Sequence, residues 1–268
     1  MADDQVTEAS GMAASNIDPD RIWLHNDSGN APHIFAATVS GKPLAQVEIP
    51  GVSNIDWEDL ASYTDKNGQP MLVVGDIGDN GGVRPHISLH FLVEPRDLEA
   101  QMTLSPAWSV KIRYPDEPHD CESIAVDSNE GYLYLLTKRT KPAQLYRIPL
   151  EPADDIVEAQ WVTAVGEIPP PTPQLIVAHP RTGRYLNQPT AMDFDPLSQQ
   201  AIVLTYRDAY VFDREESQSW EAAFSLRPKL LRLPLLPQGE AIAYSFDGRA
   251  VYVTSEKWPS PIIRMLRR

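Results

Sequence analysis

A short signature recurs along the chain, and it constrains the fold more than any other feature. It places a glutamate, or in one copy a glutamine, before a short run of small and apolar residues. The copies begin at Glu8, Glu58, Glu122, Gln188 and Glu240, which gives intervals of 50, 64, 66 and 52 residues. Sequence repeats of roughly 40–50 residues are typical of propeller blades, which the shorter intervals match directly.

Each copy is followed by a turn and by a second apolar segment that ends in polar residues. The turns include Asn67-Gly68 and Asp247-Gly248, and the second segments include Leu72–Asp76 and Tyr252–Glu256. Because 25 prolines and 14 glycines separate short apolar runs, long helices are disfavoured and antiparallel meanders are favoured. Only a segment around Ser217–Phe224 has the pattern of a short helix.

The two long intervals contain insertions, from Glu94-Pro95 to Pro106 and around Pro169–Pro173, and neither is long enough for a further blade. We therefore predict an all-β protein with one β-propeller domain, residues 1–268, and five blades around a central channel. A sixth blade with a decayed signature is the alternative. We expect the residues before Glu8 to supply the outer strand of the last blade.

Composition limits the partners and the compartment. The net charge of −14 repels phosphate backbones and anionic lipid, so we expect no nucleic-acid partner. No apolar run approaches the ~20 residues that span a membrane. The N-terminal MADDQVTEAS has no signal-peptide pattern, so we expect a cytoplasmic protein, or a periplasmic or extracellular one if a signal peptide has been removed. The single cysteine, Cys121, excludes an internal disulfide and a Cys-rich zinc site.

In a propeller, the innermost strand of each blade lines the channel, so equivalent residues point into one layer. If the signature opens that strand, its acidic residues converge at one mouth of the channel, with Glu8, Glu58, Glu122, Gln188 and Glu240. The ends of the second strands add Asp27, Asp76, Lys138, Tyr206 and Glu256. Converging carboxylates need raised pKa values, paired cations or a bound metal. Calcium, which takes six to eight oxygen ligands, is the cofactor that we expect, and its candidate ligands are Glu8, Glu58, Asp76, Glu122 and Glu240.

The stretch Gly75-Asp76-Ile77-Gly78-Asp79-Asn80 fits this hypothesis, because its side chains offer oxygen donors and its glycines allow a tight turn. An ordinary turn at the end of a strand is the alternative. For substrate binding, the candidate residues at the mouth are Asp27, Lys138, Arg207 and Glu256. Lys138 and Arg207 would help to bind an anionic group.

Two histidines are candidate general bases. His119 lies three residues before Glu122, and His25 lies beside Asn26 and Asp27. The alternative is that each is a hydrogen-bonded structural residue. The chain contains no Gly-x-Ser-x-Gly elbow, no phosphate-binding loop, no dinucleotide fingerprint and no His-Glu-x-x-His helix. These absences disfavour α/β serine hydrolases, nucleotide hydrolases, dehydrogenases and zinc proteases.

Several motifs together carry a family resemblance: Trp23–Gly29, Asp56–Ala61, Gly75–Asn80 and Gly239–Ala243. The chain resembles a family of bacterial propeller proteins that are mostly uncharacterised and often exported. That family is distantly similar to calcium-dependent propeller hydrolases of the paraoxonase and gluconolactonase type and to phytase-related, esterase-like propellers. The resemblance implies a calcium ion at the channel mouth, with the ligands Glu58, Asp76, Glu122 and Glu240.

We therefore expect a calcium-dependent hydrolase of an ester, a lactone or a phosphoester. The alternative is a non-catalytic propeller that binds a protein or a small ligand, with any metal serving a structural role.

Overall fold

The computed structural model describes residues 5–234, 236–256 and 261–267. The first nine strands are β1 (Ala9–Ala14), β2 (Arg21–Asn26), β3 (His33–Thr38), β4 (Pro43–Glu48), β5 (Trp57–Thr64), β6 (Pro70–Asp76), β7 (Ile87–Val93), β8 (Gln101–Thr103) and β9 (Trp108–Arg113). The others are β10 (Cys121–Asp127), β11 (Tyr132–Thr137), β12 (Gln144–Pro149), β13 (Ile156–Glu158), β14 (Gln160–Ala164), β15 (Pro189–Phe194), β16 (Gln200–Thr205), β17 (Ala209–Asp213), β18 (Lys229–Leu231), β19 (Gly239–Tyr244), β20 (Ala250–Ser255) and β21 (Ile263–Leu266). The helices are α1 (Pro173–Ala178) and α2 (Trp220–Ser225), and Gly183–Tyr185 form one 3₁₀ turn.

The strands form five sheets, which we number as blades 1 to 5 in chain order, and all strands pair antiparallel except β8 and β13. Their inner strands are β1, β5, β10, β15 and β19. Each inner strand contacts the next, and β1 also contacts β19, so the ring is closed. This arrangement confirms the five-bladed propeller that the repeat predicts.

The two long intervals of the repeat contribute strands to neighbouring blades. The insertion after Glu94 contains β8, which pairs in parallel with β4 at the outer edge of blade 1. The connection from β12 to β14 in blade 3 contains β13, which pairs in parallel with β9 of blade 2. The extra residues therefore fasten consecutive blades together instead of forming a sixth blade.

The ring closes differently from the sequence-based expectation. In the described residues blade 5 has three strands, and residues 5–8 are not in a strand. Residues 1–4 lie outside the described residues. Closure comes from β1 against β19 and from an apolar cluster in which Met12 and Ile22 pack with Ala243 and Tyr252.

Large aromatic side chains fill the spaces between blades. Trp23 and Trp57 are fully buried in one apolar cluster between blades 1 and 2. Between blades 3 and 4, Trp220 stacks on Phe194 with ring centroids 4.1 Å apart. Trp220 opens α2, where Ser219 caps the helix by accepting the N–H of Ala222. The short helix predicted in this region is confirmed.

A β-bulge near the start of every inner strand positions the candidate site. In each blade one residue is skipped in the pairing with the second strand, and the skipped residues are Ser10, Glu58, Glu122, Thr190 and Glu240. A bulged residue is unpaired and its side chain is re-aimed out of the regular alternation. Since the bulge occurs at the same point of all five blades, it places five side chains around one end of the channel.

Below the bulges the channel is narrow. The residues one and three positions after each bulge are small in most blades, as with Gly11, Ala61 and Ala243. Asp59 is an exception: it is fully buried and accepts backbone N–H groups from Leu60, Ile124 and Met192, on the inner strands of blades 2, 3 and 4. Its side chain therefore spans the channel beneath the bulges.

Candidate functional site

A polar cavity of about 180 Å³ opens at the bulge end of the channel. We call it the mouth, and it is lined by Ala9, Ser10, Asp27, Glu58, Asn80, Glu122, Lys138, Arg139, Tyr206, Gln238, Glu240 and Glu256. Four of the five bulge residues are among them. The fifth, Thr190, donates its hydroxyl to the carbonyl of Gly239 at 2.8 Å.

In blades 1 and 4 the structure differs from the predicted alignment of the repeat. Ser10 and Thr190 occupy the bulge positions that the sequence pattern assigns to Glu8 and Gln188. Glu8 lies two residues earlier, is exposed, and its carboxylate accepts a hydrogen bond from the side chain of Asn30 at 3.1 Å. The predicted metal ligand Glu8 is therefore outside the mouth, because the strand register, and not the identity of the acidic residue, sets the position.

Three carboxylates form a compact cluster at one side of the mouth. One oxygen each from Asp27, Asp56 and Glu58 lies within 4.8 Å of the others. Asp27 and Asp56 are half-buried, whereas Glu58 is buried. We call these residues the carboxylate cluster. Asp56 is absent from the sequence-based site. It precedes β5, and its backbone N–H donates to the carboxylate of Asp76, a contact that the sequence does not reveal.

The GDIGDN turn closes over the carboxylate cluster. A β-carbon placed on Gly78 would lie 2.4 Å from Oδ2 of Asp56 and 2.4 Å from Oε1 of Glu58. Any side chain at this position would therefore displace the two carboxylates. Gly78 lets the backbone pass next to the acidic groups, and this is the function of the glycine in the turn.

Electrostatics make the carboxylate cluster a strong acceptor of protons or cations. Burial raises the pKa of Glu58 well above its ordinary value, and the charges of Glu122 and Asp27 raise it further. Burial also raises the pKa of Asp56, with smaller contributions from Asp27 and Asp120. A set of three carboxylates with adjacent oxygens fits a hard divalent cation, since calcium prefers oxygen ligands.

A buried lysine faces two glutamates on the other side of the mouth. The Lys138 Nζ lies 2.5 Å from Oε1 of Glu122 and 5.0 Å from the ring centre of Tyr206. Burial raises the pKa of Glu122 to about 7, although the charge of Lys138 opposes the shift. Burial and the charge of Glu122 raise the pKa of Glu240 well above normal. The amide of Gln238 donates to Glu240 at 2.6 Å.

Asp76 and Asp79 shape the GDIGDN turn and do not line the mouth. Asp76 pairs with Arg84 at 2.8 Å and accepts the backbone N–H of Asp56 at 3.1 Å. Asp79 accepts the N–H groups of Val83 and Arg84. Both Arg84 and the N–H of Asp56 contact Oδ1 of Asp76, so Asp76 positions Asp56, and its role as a metal ligand stays a prediction.

Neither predicted general base reaches the mouth. His119 Nε2 lies 3.0 Å from the Asp116 carboxylate and 3.0 Å from the Tyr146 hydroxyl. His25 is fully buried, with Nδ1 3.0 Å from the carbonyl of Asn26 and its ring edge-on to Trp57. Burial lowers the pKa of His25. Both histidines are near mouth residues in sequence but do not line the mouth, and their role as general bases stays a prediction.

Three of the four predicted substrate-binding residues line the mouth, and the fourth does not. Asp27, Lys138 and Glu256 line the mouth. Arg207 is outside it and pairs with Asp208 at 3.5 Å. Arg139 lines the mouth instead. Its Nε lies 2.5 Å from the carboxylate of Asp120, and its guanidinium also donates to the side chain of Asn80.

Comparison with known proteins is informative about the fold alone. No protein-family model matches the chain, and no curated protein matches it. The structure of a nidogen/laminin complex aligns at a TM-score of 0.50 and 15% identity, over 97% of this chain and 76% of that chain. A Bacteroides thetaiotaomicron protein of unknown function aligns at 0.50 and 10% identity, over 93% of this chain and 53% of that chain.

A proposed 6-phosphogluconolactonase from Bacteroides uniformis aligns at a TM-score of 0.47 and 13% identity, over 97% of this chain and 67% of that chain. At these identities the similarities show an architecture and no shared chemistry. Among the described residues, no helix combines the length and the hydropathy that a membrane crossing requires.

Proposed function

We propose that this protein is a calcium-dependent hydrolase of an ester, a lactone or a phosphoester, with its active site at the mouth. One observation carries the proposal: Asp27 and Glu58 of the carboxylate cluster line the same small polar cavity as the Lys138–Glu122 pair. Titratable groups with perturbed pKa values in a cleft are typical of active sites.

The carboxylate cluster, Asp27, Asp56 and Glu58, would hold the ion. Three carboxylates are fewer than the six to eight ligands that calcium takes, so positions remain for water and substrate. Bound calcium supplies Lewis-acid polarisation of the carbonyl or phosphoryl oxygen. Arg84 supports the cluster indirectly, since it fixes Asp76, which in turn accepts the N–H of Asp56.

Proton transfer is assigned to the opposite side of the mouth. Glu122, with a pKa of about 7, accepts a proton from the attacking water as the new C–O or P–O bond forms. Burial and the charge of Glu122 raise the pKa of Glu240, which favours its protonated form, and Glu240 gives its proton to the leaving oxygen as the scissile bond breaks. Lys138 stabilises the negative charge that develops between them. An ester gives a carboxylic acid and an alcohol, a lactone gives one hydroxy acid, and a phosphoester gives a phosphate and an alcohol.

Calcium titration by calorimetry on chelator-treated protein tests the cation site. We expect binding at micromolar concentration or tighter and a raised Tm. Binding is lost in Asp56→Asn and Glu58→Gln, and it is retained in Glu216→Gln, an exposed glutamate outside the mouth. Equal affinity in the wild type and in the two cluster variants would show that calcium binds elsewhere.

A panel of esters, lactones and phosphoesters tests the catalytic step. We expect turnover by the calcium-loaded protein, and a loss of kcat in Glu122→Gln while calcium affinity remains within a few-fold of the wild type. If calcium binds at the cluster but no member of the panel is turned over, the non-catalytic propeller with a structural metal becomes the better proposal.

A further inference from the structure

A second cavity, of about 520 Å³, lies between blades 3 and 4 beside the mouth. We call it the interblade pocket. Among the residues that line it are Lys138, Ala143, Val165, Ile168, Pro170 and Gln188. Lys138 lines both cavities, so the interblade pocket is adjacent to the mouth. Its volume falls within the range of roughly 300–1,000 Å³ that is usual for small-molecule sites.

The walls of the interblade pocket are largely apolar. Val165 is buried in the apolar cluster of blades 3 and 4, and Ile168 packs against the same cluster. Pro142, Pro170 and Pro189 also line the pocket, and proline has no backbone N–H. The proline-rich insertion that lengthens this interval of the repeat thus supplies one wall. Such walls favour an apolar group over a sugar or a phosphate.

One residue of the pocket lining, Gln188, carries a side-chain amide. Gln188 is 7% exposed, and its backbone N–H donates to the carbonyl of Tyr185 at 2.9 Å. An amide at the wall of a pocket can donate to a carbonyl or carboxylate oxygen of a ligand.

We propose that the interblade pocket binds the acyl or aryl group of the substrate, and that the Gln188 amide donates to an oxygen at the polar end of that group. The identification of the bound group as part of a substrate rests on the proposed hydrolase function. It narrows the substrate class to an ester or a lactone of a medium-chain or aromatic carboxylic acid. The apolar part lies between the blades and the ester bond lies at the mouth, beside Lys138.

Calorimetry with octanoate and butanoate, in chelator, tests the pocket without calcium and without catalysis. We expect one octanoate per chain, bound roughly 100-fold more tightly than butanoate, because four more methylene groups leave water. Ile168→Trp fills the pocket and weakens octanoate binding at least 10-fold. Gln188→Leu removes the hydrogen bond at similar volume and weakens it about 5- to 10-fold.

Leu197→Trp, a substitution of an exposed leucine that does not line the pocket, is the control and leaves the affinity unchanged. The Tm of each variant shows whether it is folded. Failure of octanoate to bind, or equal affinity in the wild type and in both pocket variants, would overturn the proposal.

Kinetics with 4-nitrophenyl octanoate and 4-nitrophenyl acetate separate this inference from the proposed function. Octanoate binding that responds to the pocket variants, with neither ester hydrolysed, supports the pocket and rejects the hydrolase. Hydrolysis of both esters with the same kcat/KM ratio in the wild type and in Ile168→Trp supports the hydrolase and rejects the pocket.

Discussion

The two ends of the channel carry the same residue types and use them differently. Glu122 and Asp127 lie on one inner strand, β10, five residues apart. At the lower end, Asp127 accepts the backbone N–H groups of Asn129 and Glu130 and the indole N–H of Trp220. At the mouth, Glu122 faces Lys138 and further carboxylates. A carboxylate surrounded by N–H donors stabilises the fold, whereas one surrounded by carboxylates needs a proton or a cation.

The lower end repeats its arrangement in every blade. A serine or aspartate follows each inner strand, or ends it, and accepts N–H groups of the hairpin turn, at Ser15, Asp65, Asp127, Asp195 and Ser245. Such turns are local and self-contained. At the mouth, Glu240 accepts from Gln238 and Glu122 pairs with Lys138, but burial and the charge of Glu122 also raise the pKa values of Glu58 and Glu240. This difference supports the mouth as the site of the function that we propose.

The largest effect that we expect is a loss of stability when a carboxylate at the lower end of the channel is removed. Asp127→Ala leaves two backbone N–H groups and the Trp220 indole without their acceptor, and it removes one of the two carboxylates that pair with Arg214, the one 3.1 Å away. The free energy of unfolding falls by about 3–5 kcal/mol in denaturant titrations. Glu240→Gln at the mouth changes it by about 1 kcal/mol or less. A larger loss in Glu240→Gln than in Asp127→Ala would contradict the comparison.

The next largest effect on the free energy of unfolding should come from removal of Lys138, the one buried cation among the described residues of the mouth. Lys138→Met leaves Glu122 without its partner and lowers the free energy of unfolding by about 3 kcal/mol at pH 8. Glu122→Gln in the same chain restores most of this loss, since the uncompensated charge is removed. A double-mutant cycle measures the coupling, and additive losses would mean that the pair is not coupled.

Gly78→Ala tests the proposed cation site with little effect on the fold. The new methyl group would displace Asp56 and Glu58, so we expect calcium affinity to fall about 10- to 100-fold, as for other changes around metal ligands. Gly81→Ala is the matched control, because its β-carbon would meet only Val83, at 3.5 Å or more. Equal affinities in the two variants would place calcium away from Gly78.

The smallest effect is a pH dependence that distinguishes the two ends. The raised pKa values of Glu58, Glu122 and Glu240 mean that the folded protein binds more protons than the unfolded chain between about pH 4.5 and 7. Stability is therefore lost as pH rises through that window. In chelator, Tm should rise by roughly 3–6 °C from pH 8 to pH 6.

Calcium should reduce this pH dependence, because the ion displaces the protons and stabilises the charged forms. Glu122→Gln should reduce it as well, whereas the exposed Glu216→Gln should leave it unchanged. A Tm that falls between pH 8 and pH 6 in chelator would reject the raised pKa values at the mouth.

The sequence by itself determined the architecture and part of the mouth. Period-2 alternation and turn residues are local signals, and their fivefold repetition predicts five blades without knowledge of any contact. Because equivalent positions of a repeat converge, the repeat also placed Glu58, Glu122 and Glu240 together. It placed Lys138 beside them, at the end of the second strand of blade 3.

Only the tertiary structure decided which neighbouring residues share the mouth. Side chains alternate in direction along a strand, so one bulged residue changes which of them point inward. The bulges place Ser10 in the mouth instead of Glu8, and the packing of strands turns His25 and His119 away. The cluster of Asp27, Asp56 and Glu58 joins two blades. Its formation depends on the packing of blade 1 against blade 2, which no local pattern encodes.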